Sequence, residues 1–302
     1  MERQAGRFRH AAGAGRALAL VLTLATAAGP ACAGPFKPWI DGTDAAEPAT
    51  QTQRYDRDTY VIRQSLRTNF EGPFLYLLFG RDRALLLDTG AGNVKIRPAV
   101  EAVIAGWLKA HGRASIPLVV AHSHGHGDHH QGDAEFADRP DTTVVGLKPE
   151  DVAAFFGIAD WPKQIATFDL GGRKLSVIPT PGHHPAHIMI YDPKTRLLLS
   201  GDTLYPGRIY VPSNRFGELQ DSLDRVAAFG ATHKVAWALG AHIEMSRKPG
   251  EEFPDRPPHP DEHPLELPFS ALLELQAAIH GMAGKPARAV RDDFVVTPIL
   301  PR

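Results

Sequence analysis

The sequence predicts an α+β protein whose strand ends share one site. Three observations predict it. Short apolar or β-branched runs recur along the chain, interrupted by segments with helical spacing. Five of the 15 histidines fall between His122 and His130, a concentration that packing does not require. Four of the apolar runs end in His or Asp, tens of residues apart, as a site built from several strand ends requires.

The elements follow in order. Arg3, Arg7, Arg9 and Arg16 precede an apolar run from Ala17 to Ala28 and an Ala31-Cys32-Ala33 end. A basic start, an apolar run too short to span a bilayer and an Ala-x-Ala end predict a signal peptide over 1–33. Periplasmic or secreted localisation is expected, with Cys32 either removed or lipidated. Residues 34–56 are rich in Pro, Gly, Ala and Thr and read as an extended arm. The main domain is expected over 57–250. Thr59 to Leu66, Phe74 to Phe79 and Ala84 to Leu87 are strands, set off by turns at Gly72-Pro73 and Gly80-Arg81-Asp82. Ile96 to His111 carries Val100, Val103, Ile104, Trp107 and Leu108 at helical spacing and stops at Gly112.

Leu118 to Ala121 is a buried strand that runs into the histidine cluster. Thr142 to Val145 is a strand and Pro149 to Phe156 a short helix. Ile165 to Leu170, Lys174 to Pro179, His187 to Tyr191 and Leu197 to Leu199 are strands, Leu219 to Phe229 a helix, and Val235 to Leu239 a last buried strand. Glu251 to Pro268 holds six prolines in eighteen residues and reads as an ordered wrap or a linker. Phe269 to His280 is a helix, and the tail is strand-like. Residues 251–302 thus form a Pro-rich arm and a C-terminal helix packed on the domain.

Length and composition bound the function. The 302 residues are 43% hydrophobic and 22% charged, a folded rather than a disordered or fibrous chain. The net charge is −1, and −4 once residues 1–33 with their four Arg and one Glu are removed, so no basic stripe invites nucleic acid. A single cysteine excludes a disulfide framework and a Cys-rich zinc module.

Ser123-His124-Gly125-His126-Gly127-Asp128-His129 carries the chemistry. In an extended segment residues two apart point the same way, so His124, His126 and Asp128 are expected on one side and His129 on another. Gly125 and Gly127 let the backbone turn around a small object. Imidazole and carboxylate without thiolate suit zinc, iron or manganese. Thr180-Pro181-Gly182-His183, Gly201-Asp202-Thr203 and Gly240-Ala241-His242 supply the other strand ends.

Over roughly Tyr60 to Met245 these motifs resemble the metallo-β-lactamase superfamily. The resemblance implies an αββα sandwich, two mixed sheets face to face with helices outside. It implies that His124, His126 and His183 hold one metal, that Asp128, His129 and His242 hold the second, and that Asp202 bridges them. Asp88 would orient the loop ligands from behind. The implied cofactor is a pair of divalent ions, zinc first, with iron or manganese as alternatives. Two ions about 3.5–4 Å apart share a water and bring its pKa towards neutrality, and the hydroxide attacks an electrophilic carbonyl. Asp128 would also move a proton.

Gly201 to Arg208 resembles the glyoxalase II type of thioesterase, and lactone-cleaving relatives share the seven ligands. The true β-lactamases of this fold generally lack the bridging aspartate. The glutathione-binding helical domain of glyoxalase II is replaced here by the Pro-rich arm and one helix. An ester, thioester or lactone hydrolase acting on a small molecule is therefore expected. The alternatives are an oxygenase with a single iron, like the persulfide-oxidising relatives, and a weak β-lactam hydrolase. Tyr205, Arg208 and Tyr210 follow Asp202 and are candidates for the substrate mouth, Arg208 as a partner for a substrate carboxylate. His122, His130, His184 and His187 are expected to flank the ligands, His259 and His263 to be solvated, Trp107 and Trp237 to be core, and Trp39 and Trp161 to be rim residues. No membrane span is expected after signal cleavage, and the sequence carries no oligomer signature.

Overall fold

The computed structural model describes residues 34–300 and Met1. The expected signal segment otherwise lies outside the described residues. The first sheet is built in chain order from β1 (Thr50–Asp56), β2 (Thr59–Gln64), β3 (Phe74–Phe79), β4 (Ala84–Leu87), β5 (Leu118–Ala121) and β6 (Thr142–Val144), with spatial order equal to chain order. Between β4 and β5 runs α1 (Arg97–Ala110), and between β5 and β6 the single turn α2 (Gly127–His130). After α3 (Pro149–Phe156) come β7 (Ala166–Asp169), β8 (Lys174–Pro179), β9 (Ile188–Asp192) and β10 (Leu197–Gly201). Then follow β11 (Arg208–Pro212), α4 (Phe216–Gly230), β12 (Trp237–Gly240), β13 (Glu266–Leu267), α5 (Phe269–Gly281), β14 (Ala289–Val290) and β15 (Val295–Ile299). The second sheet has the order β13-β12-β10-β9-β8-β7, and a small third sheet the order β11-β15-β14. Both large sheets are mixed: β4, β5 and β6 run parallel, as do β10 and β12.

Two-faced burial explains the strand sequences. Leu85 and Leu87 of β4 point between the sheets and meet Val177, Ile188, Ile190 and Leu199, while Leu86 points outward to Val100, Ile104 and Trp107 of α1. A strand covered on both sides reads as an unbroken apolar run rather than an alternation. On the outer face of the second sheet, Ile178, Met189 and Leu198 pack on Leu219, Leu223 and Val226 of α4 and Leu272, Leu275 and Ile279 of α5. The layers are helix, sheet, sheet, helix.

Several expectations change. The last third of the 34–56 arm, Thr50–Asp56, is the edge strand β1, paired antiparallel with β2. Arg208–Pro212, to which the sequence pattern assigns no element, is a strand paired in parallel with the chain's tail. Its sequence alternates only over five residues, too short a pattern to stand out. The Pro-rich stretch is an ordered wrap: it bridges Ser246 to Glu262, and Glu262 grips Arg63, whose side chain is fully buried. His259 is not solvated but 1% exposed, stacked on Phe253 at 4.4 Å with Nε2 donating to the Pro254 carbonyl. Trp39 and Trp161 are not rim residues of the site, because both pack against the core between the sheets. No described helix is long and apolar enough to cross a membrane.

Candidate metal centre

Four strands deliver the site to one end of the sandwich. β5 ends at Ala121 and leads into His124 and His126; β8 ends at Pro179 before His183; β10 ends at Gly201 before Asp202; β12 ends at Gly240 before His242. His126 is extended, and the chain then turns at once into α2. That turn corrects the two-apart expectation: Asp128 leaves the side of His124 and His126 and joins His129.

Two groups of donor atoms result, His124, His126 and His183 in one and Asp128, His129, Asp202 and His242 in the other. In the first, His126 Nδ1 lies 2.9 Å from His124 Nε2 and 3.0 Å from His183 Nε2. In the second, Asp128 Oδ2 lies 2.9 Å from His129 Nε2 and 3.2 Å from His242 Nε2. The Asp202 carboxylate faces both: Oδ2 is 3.8 Å from His124 Nε2, 3.6 Å from His183 Nε2 and 3.5 Å from His129 Nε2, and Oδ1 is 3.3 Å from His242 Nε2. Donors arranged tetrahedrally about 2.0–2.1 Å from one ion are about 3.3 Å apart, so these separations suit a shared cation.

The donor set fits such ions in two further ways. His129 Nε2 and Asp202 Oδ1 are buried and have no hydrogen-bond partner, an expense that a bound cation removes. Burial and the neighbouring imidazoles hold His124 well below the usual histidine range and His126 at about 4, so their lone pairs stay free. Burial also pushes His129 and His242 down, but the carboxylates of Asp128 and Asp202 outweigh it and raise both. The same pairing overrides burial at Asp128 and Asp202 and holds both carboxyls below the usual range.

An outer ring of hydrogen bonds fixes the donors. Asp88 accepts from Ser123 N at 2.6 Å, from Ser123 Oγ at 2.9 Å and from His129 Nδ1 at 3.0 Å. His183 Nδ1 donates to the Tyr210 carbonyl at 2.7 Å, and His242 Nδ1 to the Glu71 carbonyl at 2.9 Å. His187, a flanking residue by sequence, accepts the Asp202 backbone N–H at 3.2 Å and bonds Thr180 Oγ1 through Nδ1 at 2.7 Å. His122 bonds Asp133, and the His184 ring packs on His126. Gly201 sits at φ 50°, and a Cβ there would come within 2.7 Å of His187 Nε2 and 2.8 Å of Ser123 Cβ. Only glycine lets the three elements close around Asp202.

Above the donors opens a cavity of about 560 Å³, lined among others by Glu71, Tyr205, Tyr210, Glu244, Ile299 and Leu300. Tyr205 is buried, with its hydroxyl donating to the Arg208 carbonyl, and meets the cavity from below. Tyr210 is half-buried along its wall. Arg208 does not line it: its guanidinium is held by Glu244 at 3.1 Å and Asp255 at 2.6 Å. Sequence reasoning missed Glu71, Glu244, Ile299 and Leu300. Glu71 acts here through its carbonyl, which no side-chain pattern announces, and the tail reaches the site only through the β11–β15 pairing.

A family model described as the metallo-beta-lactamase superfamily matches residues 69–267. The chain belongs to the metallo-beta-lactamase superfamily. Membership and donor set together describe a metal-dependent hydrolase. Among curated relatives, the hydroxyacylglutathione hydrolase of Methylococcus capsulatus is 32% identical over 191 residues, 60% of this chain and 69% of that protein. The hydroxyacylglutathione hydrolase of Rhizobium meliloti is 31% identical over 118 residues, 38% of this chain and only 43% of that protein. An acyl-coenzyme A thioesterase of Homo sapiens is 26% identical, across 56% of this chain and 72% of its own length. Among solved structures, a metallo-beta-lactamase from Pontibacter korlensis superposes with a TM-score of 0.52 at 16% identity, covering 76% of this chain and 99% of that one. This last likeness concerns the fold.

Proposed function

We propose that the chain is an exported thioester hydrolase working with two divalent ions, zinc first. The observation that carries the dinuclear reading is the Asp202 carboxylate, which reaches the donors of both groups. The thioester class is supported by the hydroxyacylglutathione hydrolases and the acyl-coenzyme A thioesterase among the relatives. Export is supported by the pattern of the first 33 residues.

When bound, the ions supply an activated water and polarise the substrate carbonyl. The chain's own residues do the rest. Asp88, Tyr210 and Glu71 hold His129, His183 and His242 in the tautomers that turn Nε2 to the centre. Burial raises the Tyr210 phenol, which stays protonated as a hydrogen-bond donor on the cavity wall. Ile299 and Pro212 give the same wall an apolar patch for an acyl chain.

The test is metal content of untagged protein by elemental mass spectrometry, followed by thiol-release assays with a hydroxyacylglutathione and an acyl-coenzyme A and acid-release assays with a lactone and a simple ester. About two zinc per chain and fastest turnover of a thioester are expected. One iron per chain with oxygen uptake on a persulfide would overturn the reading.

A further inference from the structure

A second cavity, of about 470 Å³, lies at the other end of the sandwich. It is lined by Phe79 at the end of β3 and Arg81 just after it, by Arg173 before β8, by Lys194 after β9, by Asp58 before β2, and by Arg113 past the end of α1. β3 ends where β4 and β5 begin, and β8 begins here and ends at the metal centre. A strand length therefore separates this pocket from the metal centre, and the function proposed above does not use it.

Its charge is one-sided. Five permanent cations line it, Arg57, Arg81, Arg113, Arg173 and Lys194, with Asp58 as the single lining carboxylate. Asp58 is shared by Arg57 and Lys194; Asp82 pairs with Arg81 and Asp192 with Arg173; Arg113 has no carboxylate partner among the described residues. The direct pairing thus leaves two positive charges over. Arg173 is the built part of the site. Its side chain is 3% exposed and is fixed by the Asp58 and Phe79 carbonyls, Thr59 and Asp192, so it forms an immobile positive floor to the pocket. Arg113 lies over the Trp107 ring at 5.7 Å and donates to the Arg81 carbonyl, which holds its forked guanidinium at the pocket.

We propose that this pocket binds a small phosphate-bearing anion, the two uncompensated charges matching a phosphate monoester dianion. The test is calorimetric titration of inorganic phosphate and of glycerol 3-phosphate into the metal-loaded protein at about 0.15 M ionic strength. The variants are an Arg81→Ala/Arg113→Ala double variant and His242→Ala at the metal centre. Expected are saturable binding, at least tenfold weakening in the double variant with an unchanged unfolding midpoint, and a change within twofold in His242→Ala. Binding lost in His242→Ala but kept in the double variant would place the anion at the metal centre and overturn the proposal. Absence of saturable binding in the unaltered protein would overturn it as well. No thioester turnover enters the readout, so the two proposals stand or fall separately.

Discussion

Asp88 Oδ2 lies 3.0 Å from Nδ1 of His129, 41 residues later, and the Asp88 backbone sits at φ 69° to make that contact. The same carboxylate receives the backbone N–H and hydroxyl of Ser123. One buried group therefore orients both the loop that carries His124 and the ring of His129.

Asp88→Ala removes three acceptor contacts while leaving every metal donor in place. Metal affinity should fall about 10–100-fold, as for other residues that orient ligands. Equilibrium dialysis against graded chelator checks this. Full occupancy at wild-type free-metal levels would show that Asp88 holds only the loop.

Gly201→Ala places a methyl group against His187 and Ser123 at a positive φ. The left-handed conformation alone costs about 1–2 kcal/mol for an L side chain. Stability should drop by at least that much, and second-metal occupancy should drop with it as Asp202 is displaced. Urea unfolding and metal analysis read the two effects separately.

Stripping the ions should destabilise the fold. Ligands that bind only the native state stabilise it by about 2.7 kcal/mol at a hundred times their dissociation constant. The chelated protein should therefore melt lower, and zinc should restore the midpoint. An unchanged midpoint in scanning calorimetry would contradict two tightly held ions.

Glu262→Ala leaves Arg63 fully buried without its carboxylate. Breaking a buried pair from one side costs about 3–5 kcal/mol. The Glu262→Leu/Arg63→Met double variant should recover much of the loss, since it removes both charges. Urea midpoints of the three proteins give the comparison, and the wrap over 251–268 should become a protease target only in the single variant.

Asp58 predicts an acid-side dependence. Burial pushes its carboxyl up, but hydrogen bonds from Lys194, Trp107 and Arg57 outweigh this and leave it at about 2. A depressed folded pKa gives stability that is present above the unfolded value of about 3.9 and lost as pH falls through the folded one. The gap in melting temperature between wild type and Asp58→Asn should shrink as pH falls from about 4 towards about 2, followed by calorimetry. A gap independent of pH over that window would show that the carboxylate charge plays no part.

Local pattern was enough for much of this protein. β3, β4 and β5 are unbroken apolar runs because both faces are covered, so their limits stand in the residues themselves. The donors were legible because each follows a strand end with a glycine nearby, a local arrangement that few other chemistries use. What the sequence could not decide is who meets whom across distance. The division of Asp128 from His126 depends on one helical turn at Gly127–His130, whose four residues are too few for a period. Glu71 holds His242 through a carbonyl, an atom every residue has. Arg208 looked available for a substrate until Glu244 and Asp255, 36 and 47 residues on, closed around it. The tail enters the site cavity only because β15 pairs with β11 across most of the C-terminal part of the chain. Short-range pattern encodes which residues can bind or pack. Which of them share a site depends on long-range strand pairing and on backbone groups, and those exist only once the chain has folded.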